Sequence, residues 1–162
     1  MCPRNRRGTL RGVRRAEALE QIERSMGRIG RAGSSVMAAR RRADRAGVDV
    51  SAPGMGILGV LERGGAQRVS VVARRAGMVA PLASRELRRL QAQSFVTRAV
   101  DGSDGRVVVV AITAKGRDAY RRLRAASVAA AGDALADWKA TELAELARLL
   151  ARLADDFSAA RP

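Results

Sequence analysis

Arginine is the residue type in this sequence whose number and spacing could do chemistry. The chain carries 31 basic residues against 16 acidic ones, a net charge of +15, and all but two of the basic residues are arginine. A guanidinium group is permanently charged and can hold a phosphate through two parallel hydrogen bonds. We therefore expect the chain to bind a polyanion, although a codon bias toward arginine and alanine would also explain part of the excess.

The excess of arginine is uneven along the chain. Residues 1–15 have a net charge of +6 and residues 51–112 one of +5, whereas residues 16–50 and 113–162 have +2 each. Only four residues are aromatic, which is few for the stacking platforms that bind single strands or RNA. Double-stranded DNA is therefore the expected partner.

Side chains for catalysis and metal binding are scarce. The sequence has no histidine, and its one cysteine, Cys2, leaves no pair for an intrachain disulfide. The phosphate-binding pattern GxxxxGK[ST] is absent as well. We predict that the protein is not an enzyme and holds no metal or cofactor. No apolar run reaches the roughly 18 residues of a membrane span, and the N-terminus lacks the apolar middle of a signal peptide, so we expect a cytoplasmic protein with no membrane partner.

Two helices joined by a tight turn are expected to position the arginines of the middle segment. Ser70 is expected to cap a short helix over residues 71–76, and Gly77 to form the turn with a positive φ. Residues 80–93 then predict a second, basic helix whose core candidates are Leu82, Leu87 and Leu90. This arrangement is typical of a helix-turn-helix motif.

A hairpin is expected after the second helix. Two stretches rich in β-branched residues, 95–100 and 106–112, flank an Asp/Gly-rich sequence at 101–105, which predicts two antiparallel strands joined by a turn. A hairpin directly after a basic helix forms a wing. The four consecutive valines at 107–110 would equally suit a buried central strand of an unrelated fold.

Amphipathic helices flank this middle segment. Apolar residues at helical spacing predict one long helix from about 16 to 46. Ser51 and Pro53 are expected to begin the next helix, and Gly64-Gly65 to end it. Thr113 and Thr141 are expected to cap two more helices, and the last has a nearly heptad stripe. Such stripes indicate a homodimer built from the chain ends, with packing inside one chain as the alternative. The expected dimer residues are Leu19, Ile22, Met26, Leu143, Leu146, Leu150, Leu153 and Phe157.

The predicted fold class is mainly α with a small β-hairpin wing. We expect a single domain over residues 16–162, in which a winged helix-turn-helix body at about 51–113 carries dimerisation helices at about 16–47 and 113–157. Residues 1–15 are expected to form a disordered basic arm. That arm would either contact DNA or remain a solvated tail.

The order of these elements, and several residues within them, resemble the multiple antibiotic resistance regulator (MarR) family of winged-helix repressors. The resemblance covers roughly residues 16–157 and is strongest from Val69 to Thr113. Its most specific part is Asp104-x-Arg106 in the wing, followed by Ile112-Thr113-x-x-Gly116. Five positions depart from the family pattern. Val79 stands in place of a capping serine, Ser94 in place of a glycine, and Gly105 in place of a wing arginine. Gly54 and Met55 replace a polar and a bulky residue in the preceding helix.

The resemblance and the helix-turn-helix pattern together give the candidate contacts with DNA. Ala80 and Leu82 suit thymine methyl groups, and Arg106 suits a narrow minor groove. For Arg106 the alternative is a structural pairing with Asp104 that shapes the wing, and each arginine of the second helix has the alternative of a solvated face or an ion pair. The full predicted set is Arg68, Ser70, Arg74, Ala80, Pro81, Leu82, Ser84, Arg85, Arg88, Arg89, Arg98 and Arg106.

The resemblance implies a dimeric repressor that occupies a palindromic operator and is released by a small aromatic or anionic effector, whose binding residues are unknown from the sequence. The first alternative is a nonspecific architectural DNA-binding protein that binds through phosphate charge alone. The second is a helical protein-interaction module, which would leave the basic middle segment without a role.

Overall fold

The computed structural model describes residues 6–100 and 108–160, and the predicted fold class is confirmed. Within these residues the chain forms helices and a small antiparallel sheet, in the order α1 (Arg6–Ser34), α2 (Val36–Ala46), α3 (Ala52–Gly64), β1 (Gln67–Arg68), α4 (Val69–Arg75), α5 (Ala80–Ala92), β2 (Val96–Val100), β3 (Val108–Ile112), α6 (Ala114–Ala134) and α7 (Ala140–Ala159). The chain divides into two compact units after Ala126. The single domain expected over 16–162 stays a prediction.

The first unit holds the sheet and the main core. The strand order is β1-β3-β2, with Gln67 opposite Val110 on one side of β3 and Arg98 opposite Val110 on the other. The three helices α3, α4 and α5 pack against the sheet. Their contact is filled by fully buried side chains, which include Ile57, Leu58, Leu61, Val72, Leu87 and Val110.

Helix α3 begins and ends where its sequence signals predict. Gly54 N donates to Ser51 Oγ at 3.0 Å, so Ser51 is the N-cap, and Pro53 stands in the first turn, where its missing N–H is harmless. At the other end Gly65 has a φ of 67°, and its N–H donates to Leu61 O at 2.9 Å. The local capping chemistry therefore fixes this helix, which the core then buries.

The long N-terminal helix differs from its prediction at both ends. It is broken at Ser35, whose Oγ accepts a hydrogen bond from Ala38 N at 3.1 Å and so caps a new helix, α2. A serine hydroxyl competes well for backbone amides, and the helical spacing of apolar residues did not reveal this competition. At the other end α1 begins at Arg6, so residues 6–15 are helical rather than disordered, while residues 1–5 lie outside the described residues. Arginine and leucine are good helix formers, which explains the extension.

Two predicted caps are wrong. Helix α4 starts at Val69, directly after β1, so Ser70 lies inside the first turn, and the N-cap Arg68 makes no side-chain cap bond. Helix α7 starts at Ala140 rather than after Thr141, because Lys139 N donates to Glu142 Oε2 at 2.8 Å. In both cases the chain enters the helix one or two residues before the expected polar cap.

The predicted dimer residues lie on α1 and α7. In the first unit Leu19, Ile22 and Met26 are exposed along α1. In the second unit Leu143, Leu150 and Phe157 are exposed along α7, while Leu146 and Leu153 are half-buried. Both helices thus present a stripe of large apolar side chains to solvent. Among the described helices none is both long and apolar enough to cross a membrane.

Candidate nucleic-acid interface

The turn between α4 and α5 has the geometry that the sequence predicts. Gly77 adopts a φ of 65°, its N–H donates to Arg74 O at 3.1 Å, and Met78 N donates to Ala73 O at 2.9 Å. This pair of bonds closes α4 around a left-handed residue, which glycine adopts without strain. The chain can therefore reverse within a few residues and begin α5 at Ala80.

Helix α5 begins without a side-chain cap. Its N-cap is Val79, which makes no such hydrogen bond, and Pro81 occupies the first turn. The missing cap was expected from the sequence and costs about 0.5–2 kcal/mol relative to serine. The helix is consequently held by the packing of its inner face, where Ala83, Leu87 and Leu90 are buried.

The outer face of α5 carries five of the twelve predicted base and phosphate contacts. Ala80, Pro81, Arg85 and Arg88 are exposed, and Ser84 is half-buried beside them. Arg88 Nε lies 3.4 Å from Ser84 O, a long hydrogen bond within the helix. This face combines small side chains with permanent positive charge, which is the composition that a major groove accepts.

Two of the predicted contacts on α5 lie differently. Leu82, expected both in the core and at thymine methyls, is only half-buried, and Ala83 fills the core position instead. Arg89 Nη1 lies 3.6 Å from Glu86 Oε1. Arg89 therefore has the ion pair that was the alternative to a DNA contact, although its side chain remains 66% exposed.

The predicted contacts outside α5 also divide into two groups. Arg68 at the end of β1, and Ser70 and Arg74 on α4, are exposed. Arg98 on β2 is half-buried, and its Nε and Nη2 atoms are buried without a hydrogen-bond partner in the part of the chain that the structure describes. Whether Arg98 contacts DNA stays a prediction. Asp104 and Arg106 lie outside the described residues.

The base of the wing is fixed by a network around Thr113. Its N–H donates to Phe95 O at 3.0 Å, its Oγ1 donates to Ser94 O at 2.8 Å, and Gly116 N donates to that same Oγ1 at 2.9 Å. Thr113 is therefore the predicted cap of α6, and it ties that helix to the start of β2. Ser94 adopts a φ of 60°, which explains why the MarR pattern has glycine at this position.

Sequence reasoning missed two buried polar groups. Gln67 accepts a hydrogen bond from Arg75 Nη1 at 2.8 Å, and Glu86 accepts one from Ser51 Oγ at 2.6 Å. The signal for Glu86 was its spacing: it lies three residues after Ala83 and four before Leu90, on the side of α5 that faces the core.

The glycines of α3 have a spacing that could be mistaken for a nucleotide site. Gly54, Gly56 and Gly59 match GxGxxG, the pattern of dinucleotide-binding loops. That pattern needs a turn between a strand and a helix, whereas these glycines lie inside α3. Their absent side chains instead leave room for neighbours, such as the Tyr120 ring, whose hydroxyl would lie 3.1 Å from a Cβ at Gly59.

Helix α4, the Gly77 turn, helix α5 and the strands beside them define a protein of the winged helix-turn-helix class. Residues 48–107 match the family model described as the MarR family. The match covers the winged helix-turn-helix body, so over these residues the chain is similar to the MarR family, as its sequence indicated.

Solved structures show the same fold. A MarR family transcription regulator superposes with a TM-score of 0.72 at 18% identity, over 90% of this chain and 94% of that one. A probable transcriptional regulator from Pseudomonas aeruginosa is 28% identical, with a TM-score of 0.59 over 71% of this chain and 86% of its own. BpsR from Bordetella bronchiseptica is 16% identical, with a TM-score of 0.64 over 83% and 98%. The comparison with curated protein sequences gave no significant match.

Proposed function

We propose that the protein is a sequence-specific, double-stranded-DNA-binding transcriptional regulator that acts as a homodimeric repressor on a palindromic operator. The observation that carries the proposal is the outer face of α5, where Arg85 and Arg88 are exposed beside the small side chains of Ala80, Pro81 and Ser84. In a winged helix-turn-helix protein, the second helix of the motif, called the recognition helix, enters the major groove with such a face. Here that helix is α5.

Sequence specificity is favoured over purely electrostatic binding by the make-up of that face. A nonspecific architectural protein needs only positive charge, whereas α5 also presents uncharged side chains that can read base edges. Selection of bound sequences from a random duplex library tests this directly. A palindromic sequence with half-sites about one helical turn apart is expected to be enriched. If several rounds of selection enriched no sequence, the protein would instead be a nonspecific architectural one.

The homodimer is inferred from the exposed apolar stripes of α1 and α7. Large apolar side chains at helical spacing on a solvent face are typical of an interaction surface. A two-fold dimer buries the same stripe of both copies and presents two recognition helices, which matches the symmetry of a palindrome.

Two substitutions on the same face of α5 are expected to fail in different ways. Replacing Arg88 with alanine removes a charge, so affinity should fall for all duplexes and the salt dependence should flatten by roughly one phosphate contact. Replacing Ser84 with alanine removes no charge, so the salt slope should be unchanged. If Ser84 reaches a base, that change costs about 1–3 kcal/mol on the preferred sequence alone. Binding titrations of operator and random duplex at several salt concentrations distinguish the two patterns, and identical behaviour of the two variants would contradict this use of the face.

The proposed regulator responds to a small aromatic or anionic effector. The structure of BpsR concerns regulation of its DNA binding by 6-hydroxynicotinic acid. In this chain a groove of about 1320 Å³ lies between α2 and α5, with apolar walls that include Ala43, Val48, Val50, Pro53 and Leu90. Its charged lining is mixed, because Arg40 and Arg89 would attract an anion whereas Asp44 and Asp49 would oppose it.

An effector in this groove can release DNA only if it binds the free protein more tightly than the DNA-bound form. A panel of phenolic and aromatic acids should therefore contain compounds that raise the melting temperature of the free protein and also dissociate its complex with operator. A panel that does neither would refute the effector.

A further inference from the structure

Glu86 occupies a place on the recognition helix where an apolar side chain would be expected. It lies on the inner side of α5 near Ala83, Leu87 and Leu90, and it is only 5% exposed. Burial of a charged carboxylate is unfavourable unless the group is hydrogen-bonded or paired. The partners of Glu86 therefore reveal what this residue does in the fold.

Ser51 makes the short contact with Glu86. Its hydroxyl donates to Glu86 Oε2 at 2.6 Å, and the two residues are 35 positions apart in the chain. Ser51 Oγ also accepts a hydrogen bond from Gly54 N, at 3.0 Å, and this bond caps α3. One hydroxyl thus joins the first turn of α3 to the inner side of α5.

The second partner of Glu86, Arg89, makes the weaker interaction. Arg89 Nη1 lies 3.6 Å from Oε1, beyond hydrogen-bond length, and the Arg89 side chain is largely in solvent. The Ser51 bond has the length of a charge-assisted bond between a hydroxyl and a carboxylate. In addition, the carboxylate lies at the N-terminal end of α3, where the helix dipole favours a negative charge. Ser51 is therefore the residue that fixes the position of the Glu86 side chain.

We propose that the Ser51–Glu86 pair positions the recognition helix, setting the rotation of α5 about its own axis and hence the approach of Ser84, Arg85 and Arg88 to DNA. Apolar contacts on the inner face of α5 hold the helix against the core, but they are non-directional. A short hydrogen bond to a neighbouring helix has a preferred length and direction, so it adds a specific orientation to that packing.

The proposed positioning predicts an effect on selectivity rather than on total affinity. Hydrogen bonds to base edges require accurate placement, whereas attraction between arginine and phosphate is long-ranged and tolerates a small rotation. The inference rests on the proposed DNA-binding function. The measured quantity is the ratio of the affinity for the preferred duplex to that for random duplex at one salt concentration, and loss of the positioning bond should lower this ratio.

Three variants separate the hydrogen bond from the helix cap. Ser51→Asp keeps a good N-cap oxygen, but in its ionised form the aspartate has no proton to donate to Glu86 and places a second negative charge against it. Ser51→Asn is the matched control for Ser51→Asp. Asparagine has the same shape as aspartate and caps a helix equally well, but its amide can donate to Glu86. The double variant Ser51→Asp with Glu86→Gln restores the bond in the opposite sense, since the glutamine amide can donate to the introduced carboxylate.

The affinity ratio is measured for the wild type and each variant at a temperature where circular dichroism shows all of them folded. We expect Ser51→Asp to lower the ratio about tenfold, the equivalent of one lost base contact, and Ser51→Asn and the double variant to remain near the wild-type ratio. A parallel fall of both affinities in Ser51→Asp, or no recovery in the double variant, would overturn the positioning role. A wild-type ratio of one would overturn the proposed function and this inference with it, whereas a wild-type preference that Ser51→Asp leaves intact overturns the inference alone.

Discussion

Replacing Leu150 with glutamate is expected to convert the protein to a monomer and to lower operator affinity by about 10²- to 10⁴-fold. Leu150 stands in the middle of the α7 stripe and is 50% exposed. In the proposed dimer this side chain is buried against the partner, so a charge there would lose its water without gaining a partner. Each monomer then holds one half-site, and the advantage of linked binding is lost.

The matched control for this change is Ala144→Glu, which places the same charge on the opposite side of α7. Ala144 is exposed, and Arg148, which pairs with Glu145, follows one turn later at a spacing that suits an added carboxylate. The control should therefore remain dimeric and bind operator as the wild type does. Light scattering and operator titration of both variants check the result. A Leu150→Glu protein that still forms a stable dimer would show that the α7 stripe is not the interface.

The elements of the winged helix-turn-helix body could be predicted because their signals are local. Ser51, Pro53 and Gly65 fix α3 through capping chemistry that the adjacent residues determine. Gly77 does the same for the turn before α5, because a left-handed residue is needed there. The valine run was ambiguous in the sequence, because it suited either a wing strand or a buried central strand of an unrelated fold. In the structure β3 pairs with β2 as a hairpin and also lies beside β1, so it is the central strand of the small sheet.

What the sequence did not reveal depends on contacts between residues distant in the chain. The partner of Glu86 is 35 residues away, so its spacing on α5 could indicate burial, but nothing local could indicate the hydrogen bond that makes this burial possible. Arg98 is similar: its residue type suggested an exposed side chain, whereas it is half-buried on β2. The break at Ser35 was local but ambiguous, since a serine at helical spacing either caps a helix or continues one.

Replacing Gly116 with alanine is expected to destabilise the protein by about 3 kcal/mol, at the upper end of the cost of overpacking. A Cβ at this position would overlap the carbonyl oxygen of Phe95 and lie 2.9 Å from Ile112 Cγ1. The overlapping atom belongs to the backbone at the start of β2, so no side-chain rotation can relieve it. Either α6 or the wing strand must move, and the Thr113 hydrogen bonds that join them resist both movements.

Gly132, in the same helix, supplies the control for Gly116. Among the described residues, no atom outside the adjacent backbone of α6 lies within 4 Å of a Cβ built at Gly132. Alanine there should therefore stabilise the helix by about 0.5–1 kcal/mol through the lower entropy of the unfolded chain. For a protein of this size, Gly116→Ala should lower the melting temperature by roughly 6–12 °C and Gly132→Ala should raise it slightly. Because the overlap lies at the junction between wing and α6, Gly116→Ala should also weaken operator binding at temperatures where the variant remains folded. Equal changes in the melting temperature for the two substitutions would contradict the predicted overlap between a Cβ at Gly116 and the backbone of Phe95.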